Sequence, residues 1–238
     1  SIKSIINNLN FNFITEVKNG RSLTVQQSYG YKNIKIEEDK IKLDKTLKES
    51  IENKDFFNFL IDSTQYSIFK FNSKFKKNRF FDGFQLYRKY SRKDVFRILN
   101  WDKNQVGLNV GGYMKHPKGF NCPIFVNYHK SDKISDTTKY EDKFLNQSEF
   151  QWMSKSNRTL ESPDVLSIKN STNTKMRIPL FIKKNNDEGD NFYYMGDVFP
   201  IENSFKQKIM AGKSVVQLVF KMNYEVEQSL YNYITDMN

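Results

Sequence analysis

Two hydrophobic textures divide the chain. Leu47, Ile51 and Phe56 to Leu60 recur near helical spacing and predict an amphipathic helix, ending at Leu60 or Ile61, that turns one face to a core. Ahead of it, Ile34 and Ile36, then Ile41 and Leu43, predict two short strands around an acidic turn. Residues 91–100 predict a second helix, with Ser91 as N-cap, Asp94 completing a capping-box variant and Asn100 closing it. Val95, Ile98 and Leu99 form its apolar stripe, with Phe96 at the border and Lys89, Arg92, Lys93 and Arg97 opposite. After Trp101 the pattern changes to short apolar runs separated by turn residues: 105–110, 124–128, 150–153, 176–183, 192–198 and 215–222. Such spacing predicts a curved, mostly antiparallel sheet or open barrel, and with its flanking helices an α+β fold. A last helix over 225–234 places Val226, Leu230 and Tyr233 on one face. With no repeat or proline-rich linker, one boundary is drawn, near residue 78, separating an α/β extension (1–78) from the main domain (79–238).

Composition narrows the setting. The chain has 238 residues, 38% hydrophobic and 15% aromatic, enough to bury a sizeable core. It opens on Ser1 with no secretory signal pattern, as a piece of a longer protein would. No stretch approaches a membrane span, and the single Cys122 has no partner for an internal disulfide, so a cytoplasmic, reducing location is expected. The net charge of +11 points to a polyanion only through its distribution, since Asn- and Ile-rich coding inflates lysine throughout. Residues 1–80 carry 15 basic and 9 acidic side chains, residues 81–130 carry 9 and 3, and residues 131–238 carry 14 and 15. Four of the seven arginines, Arg79, Arg88, Arg92 and Arg97, lie between Lys70 and Lys103, and guanidinium forks suit phosphates.

Catalytic motifs fail one by one. His116-Pro117-Lys118 opens like the His-x-Lys signature of phospholipase D nucleases, but Pro123 stands where the Asp is needed. Gly212-Lys213-Ser214 ends like a phosphate-binding loop, yet Gln207 replaces the earlier glycine, leaving a turn before the strand at Val215. His116, His129 and Cys122 cannot assemble a zinc site at the usual spacing, and no cofactor or metal is expected in this chain. The carboxylates Asp187, Glu188 and Asp190 fit a hairpin tip, and Glu141-Asp142 shows no converging lysine.

Polar strings carry the remaining chemistry. Asn109-Val110-Gly111-Gly112-Tyr113 is either a bulge or an open backbone surface beside an aromatic ring. After Phe150-Gln151-Trp152-Met153, the run Ser154-Lys155-Ser156-Asn157-Arg158 offers hydroxyls, an amide and a guanidinium, groups that contact phosphates and base edges, although a strand and turn explain it too. Tyr128-His129-Lys130-Ser131 and then Tyr140-Glu141-Asp142 supply aromatic faces and a carboxylate suited to an extruded cytosine, or else surface aromatics over a sheet.

As an ordered set, Leu86 to Val95, Leu99-Asn100-Trp101, Asn109 to Tyr113, Ser154 to Arg158 and Phe192-Tyr193-Tyr194-Met195-Gly196 resemble the C-terminal domain of nuclease–helicase fusions of the SauUSI kind. These are type IV, modification-dependent restriction endonucleases. The resemblance spans roughly residues 20–238 and has Met195 where Leu is more usual. It implies a covalently attached helicase motor and phospholipase D type nuclease in the parent protein. It also implies a crescent-shaped barrel like the SET- and RING-associated (SRA) domain, which flips 5-methylcytosine out of duplex DNA. Tyr113, Tyr128, Trp152 and Asp142 are the candidates for that base pocket. Arg88, Lys89, Arg92, Lys93, Arg97, Asn109, Gly111, Gly112, His129, Ser154, Ser156, Asn157 and Arg158 are the candidates for DNA contact. The expected role is non-catalytic recognition of methylated double-stranded DNA, with 5-hydroxymethylcytosine as a further candidate base; the rival expectation is a docking module of the helicase without base readout.

Overall fold

Alternating apolar side chains build most of the second of two compact units, Phe81–Val95 with Gln105–Asn238; the first is Ser1–Phe80 with Phe96–Asn104. The computed structural model describes residues 2–12, 14–18, 21–24, 26–27, 32–38, 40–75, 80–81, 83–101, 105, 110–129 and 142–236.

The first unit contains α1 (Ile2–Leu9), the hairpins β1 (Ile14–Lys18)–β2 (Arg21–Thr24) and β3 (Ile34–Glu37)–β4 (Lys40–Leu43), and helices α2 (Lys45–Ser50) and α3 (Lys54–Lys70). The β3–β4 register, Ile34 with Leu43 and Ile36 with Ile41, is the one the alternation predicts. Buried Asn10 ties α1 to it: its Nδ2 donates to the Ile34 carbonyl at 2.9 Å and its Oδ1 accepts from Ile34 N at 2.9 Å. The helix expected from Leu47 to Ile61 is two helices, because Asn53 breaks in and caps α3, accepting from Phe56 N at 3.0 Å. Its expected core face is also absent. No residue of α3 is buried, and Phe59 is 73% exposed. Phe56, Phe57, Phe59, Leu60 and Ile61 spread over an arc of about 200° instead of lining one narrow stripe, so no single packing surface covers them.

The order continues with β5 (Phe80–Phe81), β6 (Phe84–Gln85), β7 (Lys89–Ser91), α4 (Arg92–Ile98), β8 (Ile124–Asn127), β9 (Lys143–Asn146) and β10 (Glu149–Met153). Helices α5 (Pro163–Lys169) and α6 (Ser171–Thr174) follow, then β11 (Pro179–Lys183), β12 (Asn191–Pro200), β13 (Lys206–Met210), β14 (Lys213–Met222) and α7 (Gln228–Thr235). The capping box forms as expected: Ser91 Oγ accepts from Asp94 N at 3.1 Å and donates to Asp94 Oδ2 at 2.7 Å. Phe96, expected at the border of the stripe, is fully buried, its ring edge-on to Trp101 at 4.7 Å.

The second unit is a mixed α+β fold, a curled half-barrel sheet with flanking helices. Its strands run β8-β11-β12-β14-β10-β9, with β7 also on β12 and β13 on β14. β8 and β11 are parallel; the other pairs are antiparallel. One face buries Ile124, Val126, Leu180, Ile182 and Met195 in the main core. The opposite face of the same strands packs Phe125, Phe181, Phe192 and Tyr194 as an aromatic cluster. Burial on both faces explains why β11 is apolar without alternation. Strands β9 and β13 and helix α6 carry no clear sequence signal, and α5 carries only a start signal, Ser162-Pro163. β13 is an exposed edge strand, and α5 and α6 are too short to show a helical period. Residues 106–109 of the expected strand 105–110 lie outside the described residues.

The curl depends on β12, which pairs with β11 through Tyr193, Tyr194 and Asp197 and with β14 through Val198 to Pro200. Gly196 sits at this handover with φ +96°, and a Cβ there would lie 3.4 Å from the Tyr224 ring and 3.6 Å from Leu86. Gly196→Ala is therefore expected to cost about 1–3 kcal/mol, read as a lower urea midpoint.

Candidate nucleic-acid interface

Two polar strings far apart in sequence meet on the second unit. Gly112 accepts from Phe125 N at 2.7 Å, and Tyr113 bridges to Ile124, which anchors the first string beside β8. The second string leaves the end of β10 and runs to α5. Lys155 crosses Gly111 so closely that a Cβ on Gly111 would lie 3.2 Å from Lys155 Cε, and Gly111 takes φ +60°. The ammonium donates to the Val110 carbonyl at 3.0 Å and stands 4.7 Å over the Tyr113 ring.

Asp164, in the first turn of α5, joins both strings. Its Oδ2 accepts from the Tyr113 hydroxyl at 2.6 Å and from Arg158 Nε at 2.7 Å. Burial pushes this carboxyl up, but those two hydrogen bonds and the guanidinium charge outweigh it and hold it below its ordinary value. Burial, with Asp164 adjacent, drives the Tyr113 phenol far above its usual range, so it stays a donor. Burial first, and then the like charge of Arg158, lowers Lys155. Two cations against one carboxylate leave the patch positive, beside the exposed Gly111 and Gly112 backbone and the exposed Asn157 at φ 60°. These groups bind anions and hydrogen-bond acceptors. Cys122 is buried, with its thiol pushed up to about 12 by burial, and is therefore inert as a nucleophile.

Other expected site residues are placed differently. Ser154 is fully buried; its Oγ accepts from Val216 N at 2.8 Å, so it locks strands together instead of facing a partner. Ser156 is half-buried, while Asn109 lies outside the described residues. Tyr113 and Trp152 are core residues whose rings meet edge to face at 5.0 Å and 73°. A base sandwich needs near-parallel rings with a gap between them, so this pair is not an open slot. Tyr128 is half-buried, stacked on Phe144 at 5.7 Å, and its hydroxyl accepts from Phe144 N at 3.3 Å. Asp142 Oδ1 accepts from Met153 N at 2.9 Å, so Tyr128 and Asp142 flank the start of β9. His129 Nε2 lies 2.8 Å from the Ile234 carbonyl and ties down α7.

The expected basic helix face is largely absorbed by packing. Arg92 stacks on Phe192 at 4.6 Å and Phe125 at 5.4 Å, and burial lowers its pKa. Lys89 belongs to β7, not to α4; its ammonium bonds Glu188 at 3.0 Å and covers Tyr193 at 4.5 Å. Arg88 lies over Tyr90 at 5.9 Å, Arg97 is half-buried within the first unit, and Lys93 is exposed. Asp164 is the residue that the sequence does not single out. Ser162-Pro163-Asp164 carries a helix-start signal, but nothing in sequence names the partners of its carboxylate.

Residues 84–234 match the family model described as a domain of unknown function, DUF3427, and the chain belongs to that family. No curated protein matches it. Among solved structures it is similar to the SUVH5 SRA domain in complex with hemi-methylated CG DNA, at 15% identity and TM-score 0.41, over 61% of this chain and 93% of that one. The DNA modification-dependent restriction endonuclease AspBHI is similar at 10% identity and TM-score 0.39, over 63% of this chain and 45% of that one. The sulfur binding domain and SRA domain of ScoMcrA, complexed with phosphorothioated DNA, is similar at 7% identity and TM-score 0.36, over 63% and 44%. No helix among the described residues is long and apolar enough to cross a membrane.

Asp164→Asn is expected to lower stability near neutral pH by about 1–2 kcal/mol. Because the folded-state pKa is depressed, this contribution is full above the ordinary 3.8 and fades as pH falls below it. Chemical denaturation of both proteins across that range should show the gap closing in acid.

Proposed function

We propose that this chain binds duplex DNA through the Gly111, Lys155 and Arg158 patch and favours duplexes carrying 5-methylcytosine, as a recognition module without catalysis of its own. The observation that carries the DNA reading is the meeting of the two polar strings around Asp164. It sets a cation, open glycine backbone and an exposed amide side chain on one edge of the sheet. Cations and backbone amides hold phosphates, and side-chain amides read base edges.

The modified base is supported by the resemblance of the ordered motifs to type IV restriction enzymes. The same resemblance supports an attached helicase and phospholipase D type nuclease in the parent protein, which this module would direct; the lone Cys122 fits a cytoplasmic, reducing setting. An extruded cytosine needs a ring to lie on and an acceptor for its N4 amine. Tyr128 and Asp142, on either side of the β9 start, are the residues proposed for those roles. One methyl group in an apolar pocket discriminates by about 10-fold to 200-fold.

Titration with duplexes identical except for the methyl group, at one salt concentration, tests this. The methylated duplex is expected to bind at least about tenfold tighter, and Lys155→Ala to weaken both duplexes equally. Equal affinities for the two duplexes contradict the methyl preference, and binding of neither contradicts the DNA reading.

A further inference from the structure

A second surface of the same unit carries a different arrangement of aromatic and basic groups. Residues 116–121 form a tight hairpin: His116 N donates to the Asn121 carbonyl at 2.8 Å, and Gly119 N to the His116 carbonyl at 2.8 Å. The buried His116 ring accepts from Lys118 N at 3.0 Å through Nδ1 and lies beneath Phe120, stacked at 5.0 Å and 25°. Phe120 is nonetheless 63% exposed, so one ring face is held from below and the other is offered outward. An aromatic ring fixed in this way on a rigid loop has little conformational entropy left to lose on stacking.

Phe120 and Lys118 border a cleft of about 600 Å³ that continues along α5 and α6 to Lys175 and Arg177. A neighbouring cleft of about 330 Å³ shares Lys175 and Arg177 and ends at Phe199, which is also exposed. Asp197 is the one carboxylate among the described residues lining the two clefts, and Arg177 neutralises it with bonds of 2.7 and 3.1 Å. Lys118 and Lys175 therefore set the sign of the surface. Lys175 sits at the C-cap of α6 with φ 56°, a left-handed position where glycine is the easy choice.

We propose that the paired clefts around Lys175 form a single-stranded DNA site, in which Phe120 and Phe199 stack unpaired bases and Lys118 and Lys175 hold the phosphates. Aromatic platforms with interspersed cations suit a single strand, because every base has a π-face. The site shares neither Lys155 nor Arg158 with the duplex-binding patch.

Fluorescence anisotropy with a labelled oligothymidine of about 12 nucleotides, a common length for single-strand sites, tests the proposal alongside duplex binding. The unmodified protein is expected to bind the oligonucleotide. Phe120→Ala with Phe199→Ala should weaken that binding at least about tenfold while duplex affinity and melting temperature stay unchanged. Lys175→Gly separates binding from folding, since it should raise the melting temperature by relieving the left-handed backbone and still weaken the strand complex. Failure of the unmodified protein to bind oligothymidine, or variants that bind it as well as the unmodified protein does, would overturn the proposal. Either result leaves the duplex measurement standing on its own.

Discussion

A carboxylate placed where Asp164 stands, half out of water at the start of α5, must be met by donors. Left unpaired it would carry a desolvation penalty larger than a single surface contact can offset. The Tyr113 hydroxyl and Arg158 Nε meet it together, and everything on the proposed duplex-binding edge follows from that joint demand. Tyr113 is pulled inward against Trp152, the loop after β10 is bent back to bring Arg158 within reach, and Lys155 is left to cross Gly111. Glycine suits that crossing, since a side chain there would press on Lys155 while holding φ +60°. The positive edge is thus built by packing around a negative charge.

The same logic of burial removes cations from the surface elsewhere. Because β8, β11 and β12 bury both faces, the aromatic cluster of Phe125, Phe181 and Phe192 needs a cover. Arg92 supplies part of it, its guanidinium lying over the Phe125 and Phe192 rings. Arginine suits this role because its weakly hydrated, planar cation packs on aromatic faces at modest desolvation cost. Charge counted along the chain therefore overstates charge available to a polyanion. The cations of the two proposed sites belong instead to loops and a helix end, at Lys155 and Arg158 on one surface and at Lys118 and Lys175 on another.

Features governed by neighbours in sequence are legible from the residues alone. The capping box of Ser91 and Asp94, the Ile34–Leu43 hairpin and the cores of β8, β10, β12 and β14 follow from local period and turn chemistry. The polar strings 109–113 and 154–158 are also visible as unusual composition. Their meeting is not, because it is set by sheet topology and by Asp164, a residue whose local signal announces only a helix start. Trp152 and Tyr113 look in sequence like exposed aromatics beside polar runs; strand registration turns both inward. Conversely, the phenylalanines of α3 look like core and are exposed, because apolar count without a single stripe gives no packing face.

The central claim is that residues 110–113 and 155–158 act as one DNA-facing surface. Hydrogen–deuterium exchange of the chain, free and saturated with a methylated duplex, tests it most directly. The account predicts slowed exchange in both segments at once, along with the first turn of α5, and unchanged exchange in the strands of the aromatic face. Protection confined to α4 and β7, with neither segment affected, would contradict it.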